Sequence, residues 1–203
     1  MADLLASALA FAATFISGAT PRWMGCEPDP RQRIYFANHT SHFDFLVLWG
    51  VMPPALRALT RPVAAKDYWE AGRLRRYLAT RIFRAVLIER VSVSLRNNPL
   101  DIALEAMGDR YSLIIFPEGT RGAGDEISPF KSGLYHLARK RPDVELVPAY
   151  LENLNRILPK GEVLPVPLLS SVTFGPPIRL LEKEPRDAFL ARAQEAVLTL
   201  RDA

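Results

Sequence analysis

Two polar knots interrupt the apolar segments of this 203-residue chain. The first is Asn38-His39-Thr40-Ser41-His42-Phe43-Asp44 and the second is Phe116-Pro117-Glu118-Gly119-Thr120-Arg121. In the first, a histidine leaves the end of an apolar run, and an aspartate follows five residues on, where the pattern predicts the first turn of a helix. That separation lets the carboxylate hold one ring nitrogen of His39 and leaves the other as a base, the orienting half of a triad without a nucleophilic serine. Such a pair would take the proton of a substrate hydroxyl. His42 is a poorer partner for Asp44, because side chains two apart on a helix diverge. A plainer reading stands beside this one: Asp44 or Ser41 caps the helix and His39 is a polar loop residue.

The second knot also reads two ways. Glu118 and Arg121 would form a local ion pair at a tight Pro-Gly turn. Alternatively, a glycine-bearing turn that offers a guanidinium and backbone N–H groups at a strand end is a seat for a phosphate. No nucleotide P-loop and no Gly-x-Ser-x-Gly elbow occurs. Three histidines and one cysteine leave little material for a His/Cys metal cage.

The elements that must carry these knots alternate. Arg33 to Ala37 reads as a strand, Phe43 to Val51 as a helix, and Pro62 to Ala65 as a short strand. Gly72 to Phe83 reads as a helix and Ala85 to Ile88 as a strand. A helix over Pro99 to Asp109 and a strand over Ser112 to Phe116 come next. They are followed by a helix over Gly133 to Lys140, strands over Val144 to Tyr150 and Ser171 to Phe174, and a closing helix over Pro185 to Arg201. Strands and helices in turn predict an α/β fold with a central, largely parallel (mixed) sheet flanked by helices. The strands are apolar throughout, as strands covered on both faces are. Both knots then fall just beyond strand carboxyl ends, where open α/β sheets gather their sites.

Composition agrees with a globular chain: 49% of residues are hydrophobic and 24% charged. The net charge of +4 favours contact with anionic lipid, phosphate or an acidic protein. Cys26 is the single cysteine, so no intramolecular disulfide forms and a reducing compartment fits. Leu4 to Ala19 carries no charge and lacks the basic start of a signal peptide. Leu4, Leu5, Ala8, Leu9, Phe11, Ala12, Phe15 and Ile16 share one helical side, while Asp3, Ser7, Thr14 and Ser17 recur on the other. That is an N-terminal amphipathic helix. Three placements are open to it: packed on the protein's own core, lying in a membrane interface, or spanning the membrane.

The motifs resemble those of the glycerolipid acyltransferase family, and within it the bacterial 1-acylglycerol-3-phosphate (lysophosphatidate) acyltransferases. Residues 38–44 look like its Asn-His-x-Ser-x-x-Asp signature, and residues 116–121 match its Phe-Pro-Glu-Gly-Thr-Arg motif without a mismatch. Pro129-Phe130-Lys131-Ser132-Gly133 resembles its Phe-Lys-x-Gly segment, and Val147-Pro148-Ala149-Tyr150 its fourth block. One departure stands out: the family usually has a glycine shortly before its second block, whereas this chain reads Phe83-Arg84-Ala85-Val86-Leu87-Ile88-Glu89-Arg90.

The resemblance implies transfer of a fatty acyl group from acyl-CoA or acyl-carrier protein to the free sn-2 hydroxyl of lysophosphatidate, giving phosphatidate for phospholipid biosynthesis. It makes His39 the base and Asp44 its orienting partner. It places Arg90, Glu118, Gly119, Thr120, Arg121 and Lys131 around the acceptor, and it implies no metal and no cofactor beyond the acyl donor. It further implies residues 1–20 as a membrane-interface helix and 21–203 as the acyltransferase domain. The expected partners are lysophospholipid, acyl thioester, a membrane surface and an acyl-carrier protein, with no nucleic acid. The expected location is the cytoplasmic face of the inner membrane, peripheral or monotopic. Two other functions fit the same fold: an acyltransferase acting on another lysolipid, and a membrane-binding module without turnover.

Overall fold

The strands owe their place to apolar runs that bury both faces. In a computed structural model, which describes residues 2–41, 43–89, 98–122, 126–154 and 170–202, the described strands form one seven-stranded sheet. They are β1 (Thr20–Trp23), β2 (Arg33–Ala37), β3 (Thr60–Ala65), β4 (Val86–Ile88), β5 (Ser112–Ile115), β6 (Glu145–Glu152) and β7 (Ser171–Phe174). Their spatial order is β1-β7-β6-β2-β5-β3-β4. The central strands are parallel, and β7 alone runs antiparallel to its neighbour β6, with β1 parallel to β7. The expected mixed, largely parallel sheet is therefore present.

Alternation along the strands divides the core into two layers. Tyr35, Ala37, Ile114, Val147 and Ala149 face one layer, with α1 (Ala2–Ser17) and α2 (Asp44–Gly50) over it. Ile34, Phe36, Leu113, Ile115 and Leu146 face the other. That layer is covered by α6 (Pro99–Met107), α7 (Gly133–Lys140) and α8 (Arg186–Leu198), after the short helices α3 (Pro54–Ala58), α4 (Lys66–Trp69) and α5 (Arg73–Tyr77). The α6 start is set by Pro99 at its first position and by Asn98, whose Oδ1 accepts the Leu100 N–H at 3.1 Å. In α8, Phe189, Ala193 and Val197 recur every four residues and are buried.

Local structure departs from the sequence pattern in several places, the unexpected short helices α3 and α4 among them. β1 was not expected, because Thr-Pro-Arg-Trp shows no alternation; it survives as an edge strand, where Pro21 costs little. The expected helix over 72–83 is α5 followed by a π-helical turn, Leu78–Ile82. The N-terminal helix packs with its small residues inward: Ala10, Ala13 and Ser17 are buried, and Ser17 Oγ donates to the Ala13 carbonyl at 2.7 Å. Thr14 and Ser17 therefore do not form a solvent-facing stripe with Asp3 and Ser7. The bulky Leu4, Phe11 and Phe15 point outward at 77%, 69% and 76% exposure, with the two phenylalanine rings stacked at 5.8 Å. Small residues let α1 approach α2 closely: a Cβ added at Gly50 would meet the Ala10 carbonyl oxygen at 3.2 Å. None of the described helices is long and apolar enough to cross a membrane.

Just past β2, Asn38 ties the strand end to β6. Its Nδ2 donates to the Leu151 carbonyl at 3.0 Å and its Oδ1 accepts the Leu151 N–H at 2.8 Å, with the side chain buried. Asn38→Ala leaves both backbone groups of Leu151 buried without that partner. The expected loss is about 2–4 kcal/mol, read as a lower midpoint with unchanged slope in a denaturant titration.

Candidate functional site

β2 and β5 are parallel neighbours, with Ile34 beside Leu113 and Phe36 beside Ile115. Their carboxyl ends lie side by side, so the loops that follow them share one edge of the sheet. This is why two knots that begin 78 positions apart in sequence, at Asn38 and Phe116, meet in space.

Asp44 opens α2 and is fully buried. Three donors converge on its Oδ2: the Thr40 N–H at 2.6 Å, the Ser41 N–H at 2.8 Å and His39 Nδ1 at 2.9 Å. A carboxylate only accepts, so Nδ1 carries the hydrogen and Nε2 is left as the basic nitrogen. The ring is 22% exposed, stacks on Phe116 at 4.3 Å and 22°, and lines a cavity. Ser41 Oγ accepts the Phe43 N–H at 3.2 Å at the entry of α2, while Asp44 does not cap the helix and reaches back to the loop. His42 lies outside the described residues.

The second knot wraps the first. Glu118 Oε1 accepts the His39 N–H at 2.7 Å, Oε2 accepts the Ser128 N–H at 2.9 Å, and the side chain is 3% exposed. The Gly122 N–H donates to the His39 carbonyl at 2.8 Å. Burial pushes the Glu118 carboxyl above its ordinary value, against the pull of the Ser128 and His39 N–H groups. Glu118 does not pair with Arg121, so the local ion pair allowed by the sequence is absent among the described residues. Gly119 turns with φ +70, and a Cβ there would sit 2.6 Å from Lys131 Nζ and 2.9 Å from its Cδ. The missing side chain is what lets Lys131 lie across the turn. The Lys131 N–H donates to the Pro117 carbonyl at 2.8 Å.

The cavity has a volume of about 830 Å³, in the range of small-molecule sites. His39, Gly119, Arg121 and Lys131 are among the residues that line it. Phe45, Trp69, Leu100, Ala103, Leu134 and Leu137 add apolar surface to it, beside the polar Asn98, Ser132 and His136. Arg121 and Lys131 have no acidic partner among the described residues. Thr120 is exposed and does not line the cavity, and Glu118 and Asp44 stand behind its wall. Arg90 lies outside the described residues. No group of three or more His, Cys, Asp or Glu side chains among the described residues is placed to hold a metal ion.

Sequence reasoning passed over part of this wall. Tyr68 and Trp69 on α4 line the cavity, and so does Glu89, which pairs with Lys66 at 3.2 Å. The available signal was an aromatic pair beside a lysine, in a stretch left without a role. The departure in the second block also has a structural answer. Arg84, in the stretch where the family places glycine, has φ 50, the left-handed conformation that glycine adopts without strain. Its guanidinium lies 3.5 Å from Asp3 at the start of α1.

Residues 27–152 match the sequence model of a family described as Acyltransferase. The chain is 30% identical over 173 residues to the 1-acyl-sn-glycerol-3-phosphate acyltransferase of Limnanthes douglasii, covering 81% of this chain and 56% of that protein. It is 26% identical over 137 residues to the protein of that name from Escherichia coli (strain K12), covering 61% and 51%. The chain thus spans about half the length of these relatives. Its fold is similar to the crystal structure of the 1-acyl-sn-glycerophosphate (LPA) acyltransferase PlsC from Thermotoga maritima, with a TM-score of 0.75 over 98% of this chain and 78% of that one, at 19% identity.

The turn at Gly119 gives a direct check. Gly119→Ala is expected to cost about 1–2 kcal/mol from the left-handed backbone alone, besides displacing Lys131. Gly133→Ala, where an added Cβ meets nothing within 4 Å, is the control and should leave the unfolding midpoint nearly unchanged.

Proposed function

Since the chain belongs to the acyltransferase family, we propose that it moves a fatty acyl group from a thioester, acyl-CoA or acyl-carrier protein, to the free sn-2 hydroxyl of lysophosphatidate, giving phosphatidate. One observation carries this reading. The His39–Asp44 pair opens on a cavity whose lining joins apolar side chains to Arg121 and Lys131, two cations with no acidic partner among the described residues. An acyl chain suits the first and a phosphate monoester the second. The names of the relatives point to the same acceptor.

The steps follow from that placement. His39 Nε2 takes the hydroxyl proton as the oxygen attacks the thioester carbonyl, so that a C–O bond forms while the carbonyl becomes a tetrahedral oxyanion. Asp44 fixes the ring and offsets the positive charge that the imidazole gains. Collapse of the intermediate breaks the C–S bond, and the proton on His39 passes to the departing thiolate. Arg121 and Lys131 hold the phosphate, which turns remote binding energy into placement of the hydroxyl. No covalent acyl-enzyme is needed.

The acceptor is a lipid, so the cavity has to work at a membrane surface, and we place the protein on the cytoplasmic face of the inner membrane. The outward stripe of Leu4, Phe11 and Phe15 supports peripheral docking. Arg73, Arg75 and Arg76 on α5 flank the exposed Leu74, and Arg75 lies 4.7 Å over the ring of Tyr68, which lines the cavity.

Two experiments test this reading. With lysophosphatidate and either acyl donor, His39→Ala should lower kcat by about 10²–10⁴-fold. Arg121→Ala should raise the acceptor KM about tenfold to a hundredfold. Product on another lysolipid but not on lysophosphatidate would change the acceptor, and no acyl transfer to any lysolipid would leave a membrane-binding module. Phe11→Ser with Phe15→Ser should reduce co-sedimentation with anionic vesicles about tenfold or more. The melting temperature should hold, since both rings are mostly exposed. Unchanged sedimentation would remove α1 from the docking surface.

A further inference from the structure

Resting on the acyltransferase reading, we infer that Glu118 is a positioning residue. Its carboxylate fixes the backbone of His39 to the segment that delivers Lys131, and it does not touch the acceptor. The family motif groups Glu118 with the phosphate contacts, but the geometry separates it from them. Gly119, Arg121 and Lys131 line the cavity, whereas Glu118 is 3% exposed behind it. Each of its oxygens already accepts a backbone N–H: His39 at 2.7 Å and Ser128 at 2.9 Å. A carboxylate turned toward a phosphate would also repel it.

The two bonds join three pieces of chain. His39 is held at both main-chain polar groups, its N–H by Glu118 and its carbonyl by the Gly122 N–H at 2.8 Å. Ser128 begins the stretch that leads to Lys131, whose own N–H is held by the Pro117 carbonyl. Residues 117, 118 and 122 thereby set the base and the lysine in one frame. Asp44 orients the His39 ring from one side while Glu118 locates its backbone from the other. A reacting hydroxyl must be placed against the base to within a fraction of an ångström, and an error of about 1 Å costs on the order of a hundredfold in rate.

Glu118→Gln keeps length and shape but sets an NH₂ group against one of the two N–H donors. The expected result is a kcat about a hundredfold lower, with a rise in the acceptor KM smaller than Arg121→Ala gives, so that the loss falls mainly on kcat, the reverse of the split for Arg121→Ala. A raised acceptor KM with kcat preserved would overturn the inference. A second measurement needs neither turnover nor a folded variant. In the ¹⁵N-labelled wild-type protein, the amide protons of His39 and Ser128 should lie well downfield, as charge-assisted donors do, and stay there when sn-glycerol 3-phosphate is added. Ordinary shifts, or upfield movement on adding it, would overturn the inference. A wild-type protein that acylates no lysolipid would instead sink the acyltransferase reading, and the amide shifts would still decide the role of Glu118.

Discussion

A carboxylate taken fully out of water draws donors to itself, and in this protein the three that reach Asp44 Oδ2 shape the site. Asp44 is buried at the start of α2, and the chain before it bends so that the Thr40 and Ser41 N–H groups reach one oxygen. Bending the loop this way leaves His39 the third donor to the same atom. The tautomer of the base is then a consequence of the burial: the nitrogen facing Asp44 must carry hydrogen, and the other must not. A solvated aspartate at the same position would tolerate many loop shapes and would fix neither the ring nor its proton.

The sheet supplies the second condition. Because β2 and β5 are parallel and adjacent, whatever follows each strand emerges at the same edge. Chain connections on the two faces then carry α1 and α2 to one layer and α6 to α8 to the other. The cavity takes its base from the loop after β2 and its cations from the loops after β5. Its apolar wall comes from α2, α4, α6 and α7. A missing side chain matters at one seam: Gly119 admits Lys131.

Much of this was legible in the sequence because the relevant signals are local. The apolar runs of β2, β5 and β6 have no reading other than strands covered on both faces, and the five-residue step from His39 to Asp44 is set by backbone geometry. What escaped was set by distant contacts. β1 exists because β7 offers it a partner, and nothing within Thr20–Trp23 announces that. Glu118 reads as the partner of Arg121 or as a contact of the acceptor, yet its partners His39 and Ser128 lie 79 and 10 residues away. For α1, helical periodicity separates apolar from polar residues, but it assumes that bulk faces inward. Here Ala10 and Ala13 face the core because α2 lies too near for anything larger.

That closeness has a mechanical consequence. Between Gly50 and Ala10 the backbones of α1 and α2 are almost in touch, with no long side chain to flex between them. The other end of α2 is Asp44, and Asp44 holds the ring of His39. The outward rings of α1 and the imidazole are thus two ends of one stiff lever arm, joined by the seven residues of α2 and its close packing on α1. Whatever surface takes up Phe11 and Phe15 therefore sets the height at which His39 stands above it.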